Sequence, residues 1–175
     1  MRCVVQGKRW TGDAVGVQVT IDGDRDTHDR MRPLTSGGRT FDRILDNIEQ
    51  SLDATPISIQ ARVNIGQSNV DGAGAMLDGF HARRLAQRGN FHVYFAPIEA
   101  STPESGSAFE EKLSRADFNR KVLALEGRAR ELGFAGIQTA PGGFSGLCVA
   151  ASKGGYVVNG NGDVHKCWET AHDAS

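Results

Sequence analysis

Residues 15–22, VGVQVTID, alternate strictly: Val15, Val17, Val19 and Ile21 are apolar, whereas Gly16, Gln18, Thr20 and Asp22 are not. A period of two predicts a strand with one buried face. A turn-rich stretch follows. TFDRILDNIEQSL at 40–52 then sets Phe41, Ile44, Leu45, Ile48 and Leu52 on one helical stripe, with Thr40 as its N-cap. The alternation returns in ISIQARVNI at 57–65, where Ile57, Ile59, Ala61, Val63 and Ile65 oppose Ser58, Gln60, Arg62 and Asn64. A helix is predicted over 73–88, with Ala73, Met76, Leu77 and Phe80 at helical spacing. FHVYFAP at 91–97 is a third strand, setting Phe91, Val93 and Phe95 against His92, Tyr94 and Ala96. After a polar loop near 99–108, a last helix carries Phe118, Val122, Leu125, Ala129 and Leu132, and Gly133-Phe134 forms its stop signal.

Three strand–helix units in succession imply parallel strands joined by crossovers. Parallel strands covered on both faces normally read as continuous apolar runs, yet these alternate. Their second face carries Gln18, Thr20, Asp22, Gln60, Arg62, Asn64, His92 and Tyr94. Such a face suits the lumen of an open or partial βα barrel that holds a polar ligand. In barrels of this kind, functional residues gather at the C-terminal strand ends, where Asp22, Arg62 and Asn64 fall. An antiparallel or mixed sheet with one wet face is the plainer alternative, and the intervening helices speak against it. Three units cannot close an eight-stranded barrel. The strand at 15–22 is therefore expected to expose an edge, so that the chain oligomerises through it or is poorly soluble.

Composition narrows the class rather than the chemistry. The 175 residues are 39% hydrophobic and 23% charged, with a formal net charge of -1. With no basic block, neither nucleic acid nor an anionic membrane is an expected partner. The apolar runs are strand-sized, and no signal-type leader is seen in the first residues, so a cytoplasmic location is expected. The three cysteines, Cys3, Cys148 and Cys167, are an odd number, which favours thiols or metal ligands over a disulfide framework.

The chain changes character after Gly133. GYVV, then NGNGD, then VHKCW reads as a β-hairpin turning at 159–162. A hairpin there would bring Cys148 toward Cys167, half of a tetrahedral set for zinc or an iron–sulfur cluster, with His165 as a third ligand if the strand is regular. Two ordinary thiols are the competing reading.

Several of these segments together resemble the radical S-adenosylmethionine (SAM) enzymes that carry a SPASM domain, such as peptide maturases and anaerobic sulfatase-maturating enzymes. QVTIDGDRDTHDRMRP at 18–33 is similar to the family's fourth-strand stretch. TFDRILDNIE at 40–49 resembles the following helix, ARVNIGQSN at 61–69 the fifth strand and VYFAPIE at 93–99 the sixth. Cys148, thirteen residues, Gly162, four residues and Cys167 fit the SPASM opening, C-x(9–15)-G-x(4)-C.

The resemblance implies a partial radical SAM barrel over 15–135, a truncated SPASM-like segment over 136–175 and an unassigned stretch at 1–14. It implies SAM and [4Fe–4S] clusters as the parent family's cofactors and a peptide or protein as its substrate. Thr20, Arg62 and Asn64 would bind SAM, Thr20 near the ribose and Arg62 at the methionyl carboxylate. Gln18, Gln60, His92 and Tyr94 would face substrate, and Cys148 and Cys167 would ligate an auxiliary cluster. Asp22, His28, Asp29 and Arg32 are assigned to architecture, with a tight turn at Asp22-Gly23 and an Asp29–Arg32 ion pair.

The family's radical-generating cluster needs C-x(3)-C-x(2)-C, and this chain has no such motif. Without that cage there is no low-potential cluster to reduce SAM. An enzyme fragment, inactive by itself and not required to hold the parent family's cofactors alone, is therefore expected, and no catalytic residue is assigned. The alternatives are a peptide-binding module, a subunit of a split enzyme whose second chain completes the barrel, or an unrelated βα-barrel enzyme using His92, Asp22 or Tyr94 as acid or base.

Overall fold

The computed structural model describes residues 16–98, 110–137, 149–151, 153, 156–158 and 162–167. Within them the chain is a mixed α/β protein. Strand β1 (Gly16–Thr20) is followed by helices α1 (Arg25–Met31) and α2 (Phe41–Ala54), then β2 (Ser58–Ile65), α3 (Ala73–Ala82), β3 (Phe91–Pro97) and α4 (Arg115–Glu131). The three strands form a sheet in the order β1-β2-β3, and both pairings are parallel. The antiparallel and mixed alternatives therefore fall away.

Register follows the alternation in the sequence. Val17, Ile59 and Phe91 align across the sheet, as do Val19, Ala61 and Val93. Ile59, Phe91, Ala61 and Val93, with Val19 packed against them, join the helical stripes in one core, with Leu45, Ile48 and Leu52 from α2, Met76, Leu77 and Phe80 from α3, and Leu125 and Ala129 from α4. Burial of that continuous apolar surface is the main stabilising term, at about 25 cal/mol per Å². Among the described residues β1 pairs with no strand but β2, and Val17 is exposed at that edge.

One expected helix boundary shifts. The single helix expected over 73–88 ends at Ala82, Arg84 adopts a left-handed conformation (φ 59°), and a 3-10 turn covers Leu85–Gln87. A continued helix would have carried Leu85 to the side opposite Met76 and Phe80. The break lets Leu85 and Ala86 both enter the core.

Thr40 does flank α2, but its side chain makes no capping bond. Its hydroxyl donates to the Arg32 carbonyl, while the Asp29 carboxylate accepts the N–H groups of Thr40 and Phe41 at 2.7 and 2.8 Å. The cap thus comes from a residue eleven positions upstream of Thr40.

The end of α4 behaves as its sequence indicates. Gly133 takes φ 86°. The N–H of Phe134 bonds the Ala129 carbonyl and that of Gly133 bonds the Arg130 carbonyl, the paired bonds of a glycine-terminated helix. Phe134 is buried and lies against Phe91.

Near the C-terminus, β4 (Val157–Val158) pairs antiparallel with β5 (Val164–His165), which is the expected hairpin. The polar loop at 99–108, the N-terminal stretch at 1–14 and Cys148 lie outside the described residues. None of the helices described is long and apolar enough to cross a membrane.

Candidate functional site

The face of the sheet turned away from the core carries three cross-strand rows. Gln18, Gln60 and His92 align in the first, and Thr20, Arg62 and Tyr94 in the second. In the third, Asn64 aligns with Ala96 and bonds to Asp22, just past the end of β1. Every SAM-binding and substrate-facing residue expected from the sequence therefore lies on one surface. Gln18 and Gln60 are exposed, while Thr20, Arg62, Asn64, His92 and Tyr94 are half-buried.

Hydrogen bonds tie this surface together from its C-terminal end. The Tyr94 hydroxyl donates to Gln18 Oε1 at 2.8 Å, reaching from β3 to β1. Arg62 Nε donates to Asn64 Oδ1 at 2.8 Å, and Asn64 Nδ2 donates to Asp22 Oδ1 at 3.1 Å. Asp22 is 2% exposed, and its second oxygen pairs with Arg32 Nε. The expected Asp29–Arg32 pair is thus not the one formed: Arg32 pairs with the buried Asp22 carboxylate, while Asp29 Oδ1 accepts the N–H groups that open α2.

Asp22 and His28 form the architectural knot that their assignment implies. Gly23, at φ 105°, makes the turn after Asp22. The Asp22 N–H then donates to His28 Nδ1 at 3.1 Å. The ring is fully buried and meets the edge of Phe41 at 5.7 Å between centroids. Nδ1 accepts, so the proton sits on Nε2, which has no hydrogen-bond partner among the described residues.

Burial pushes the His28 imidazole below its usual value, with Arg32 acting in the same direction and Asp22 and Asp29 opposing. Burial also disfavours the Asp29 carboxylate, but the N–H groups of Phe41 and Thr40 hold it below the usual carboxylate range.

The sign of the resulting pH dependence is fixed. Folded His28 binds its proton more weakly than unfolded His28. Its contribution to stability is complete above the usual imidazole value, about 6.5, and is lost as pH falls through and below it. One such group gives a slope of at most about 1.4 kcal/mol per pH unit. Denaturant titrations between pH 8 and 5 are expected to show unfolding free energy declining toward the acid end, with the slope reduced in His28→Gln.

Several participants carry no sequence signal. Buried Asn69 bridges the Asn64 carbonyl and the Gly66 N–H, at 2.7 and 2.8 Å. Glu111 accepts the N–H groups of Gln67 and Ser68, holding the loop after β2. A Cβ on Gly66 would stand 2.8 Å from the Glu111 carbonyl, so that loop admits only glycine without a shift. A Cβ on Gly136 would stand 3.2 Å from His92 Nδ1, so the chain after α4 passes close to the polar face. The GQSN string marks a turn, but nothing in it names these partners.

The arrangement can hold a polar, anion-bearing ligand. Among the described residues the terminal nitrogens of Arg62 have no protein partner, and the group bonded to its Nε is the neutral Asn64 amide. Metal donors are a different matter: among the described residues no three His, Cys, Asp or Glu side chains are placed to share an ion. Cys167 is half-buried at the end of the hairpin. Its relation to Cys148 falls outside the described residues.

The fold and this surface define an α/β protein whose parallel sheet presents helices to one side and a hydrogen-bonded polar array to the other. Compared with family models, curated proteins and solved structures, the chain matches none.

Proposed function

We propose that the polar sheet face is a binding surface for SAM or a closely similar carboxylate-bearing ligand, and that the chain is part of a radical SAM-type barrel, inactive by itself. The observation that carries this is Arg62: half-buried in the centre of the face, fixed through Nε, and with both Nη groups unpartnered among the described residues. A guanidinium end of that kind matches the two oxygens of a carboxylate. Thr20, its register partner on β1, is assigned to the ribose side, and Gln18, Gln60, His92 and Tyr94 to whatever substrate lies beside the cofactor. Consecutive parallel strands with their helices on one side suit the open barrel of that family. The peptide or protein substrate remains part of the same proposal.

SAM fits the donors on this face; the radical-generating cluster does not fit the donors in this chain. A C-x(3)-C-x(2)-C cage takes three closely spaced thiolates, whereas the cysteines stand at 3, 148 and 167. No redox step is therefore assigned to the chain. Its residues bind and orient, and the chemistry of the bound group would need thiolates from elsewhere, as in a split enzyme. Cys148 and Cys167 remain the proposed pair for an auxiliary cluster.

Isothermal titration of SAM into the purified chain tests the proposal. Saturable binding is expected, weakened about 10- to 100-fold in Arg62→Ala, the effect of losing a charged hydrogen-bonding partner. Equal affinity in the wild type and Arg62→Ala would remove its basis.

A further inference from the structure

We infer that Asn64 does not touch the ligand but is a positioning residue, the middle of an Asp22–Asn64–Arg62 relay that aims the Arg62 guanidinium across the polar face. It rests on the reading of Arg62 as a carboxylate clamp and changes the role that Asn64 would otherwise hold on that face.

Both ends of the Asn64 side-chain amide are already engaged within the protein. Its Nδ2 donates to Asp22 Oδ1 at 3.1 Å and its Oδ1 accepts from Arg62 Nε at 2.8 Å. Its backbone N–H also donates to Asp22 Oδ1, at 3.2 Å, and its carbonyl accepts from Asn69 Nδ2 at 2.7 Å. The orientation of the amide follows from chemistry: a carboxylate only accepts, so the NH₂ end faces Asp22 and the oxygen is turned to Arg62.

The anchor is equally fixed. Asp22 is buried at the end of β1, Arg32 Nε holds its other oxygen, and its own N–H is engaged by His28. One carboxylate side chain therefore serves two guanidinium groups, Arg32 directly and Arg62 through a neutral amide.

The neutral link matters. A direct Asp22–Arg62 ion pair would satisfy Arg62 and leave little attraction for a ligand. Asn64 instead takes a single N–H of the guanidinium and leaves its Nη pair for an incoming carboxylate, with the orientation settled before binding. Pre-set orientation lowers the ordering cost of association. An aspartate at position 64 would fit the same space, but it would face the Asp22 carboxylate and supply Arg62 with an internal anion.

The test compares SAM with decarboxylated SAM, which lacks the group that Arg62 is assigned to hold. The readout is the ratio of the two affinities, measured by titration calorimetry on the full chain. In the wild type SAM is expected to bind at least about tenfold better. Asn64→Ala and Asn64→Asp are expected to bring the ratio toward one while affinity for the decarboxylated compound is kept, a pattern that general loosening of the fold does not produce. A reduced ratio in Arg62→Ala with a wild-type ratio in both Asn64 variants would overturn the relay and leave the clamp standing. An unchanged ratio in Arg62→Ala would overturn both.

If the Asn64 variants do not fold, the Arg62 Nε–H signal of the ligand-free wild type, assigned by its loss in Arg62→Lys, decides the question. Slow exchange with solvent is expected, and exchange as fast as that of an exposed arginine would overturn the relay.

Discussion

Phe80→Ala is expected to lower the unfolding free energy of the chain by about 3–5 kcal/mol, the range for removing a buried aromatic ring and leaving a cavity. Phe80 is fully buried on α3, and its ring meets Phe91 edge-on, at 5.7 Å between centroids and 89° between planes. Phe91 in turn lies against Phe134 beyond α4. One deletion therefore withdraws support from α3, β3 and the close of α4 together. A loss of that size is a large part of the stability of an ordinary domain. Urea unfolding followed by circular dichroism measures it directly. SAM affinity, measured under conditions where the variant stays folded, is expected to be unaffected, because Phe80 packs on the side of the sheet opposite Arg62.

Asp22→Ala has the second-largest expected effect, and it acts on both stability and binding. The buried carboxylate accepts from Arg32, from the Asn64 side chain and from the Asn64 backbone. Its removal leaves these donors without their acceptor and cuts the tie between the ends of β1 and β2. Arg32 is about half exposed and can recover hydration, which moderates the cost. A loss of about 2–3 kcal/mol is expected, within the range for unsatisfied donors and charged hydrogen bonds. The variant should also lose SAM affinity, because Arg62 is no longer held through Asn64. Comparison with Arg32→Ala separates the two effects: that variant is expected to lose stability while retaining more of the affinity.

The parts of this architecture that were legible in the sequence are those governed by periodicity. Strict alternation in 15–22, 57–65 and 91–97 marked the three strands, and the same alternation set Gln18, Thr20, Gln60, Arg62, Asn64, His92 and Tyr94 on one face. Gly133 marked the end of α4 because a left-handed residue was needed there. What stayed hidden depends on reach across the sheet and between loops. Asp29 capping a helix from eleven residues upstream, Arg32 choosing Asp22 over Asp29, and Asn69 stitching the loop after β2 are choices among near-equivalent polar partners, and local pattern does not rank them. The break after Ala82 was hidden for another reason: Leu85 and Ala86 are good helix formers individually, and only the position of the core makes a turn before them preferable. The relation of Cys148 to Cys167 rests on sequence spacing alone.

The polar face, and not the helical side, is the proposed seat of the carboxylate-bearing ligand. Titration of ¹⁵N-labelled chain with SAM, followed by two-dimensional NMR, tests it most directly. Saturable shifts are expected at Gln18, Thr20, Gln60, Arg62, His92 and Tyr94, including the Arg62 side-chain signal. Saturable shifts confined to α2, α3 and α4, or no saturable shift at all, would contradict the account.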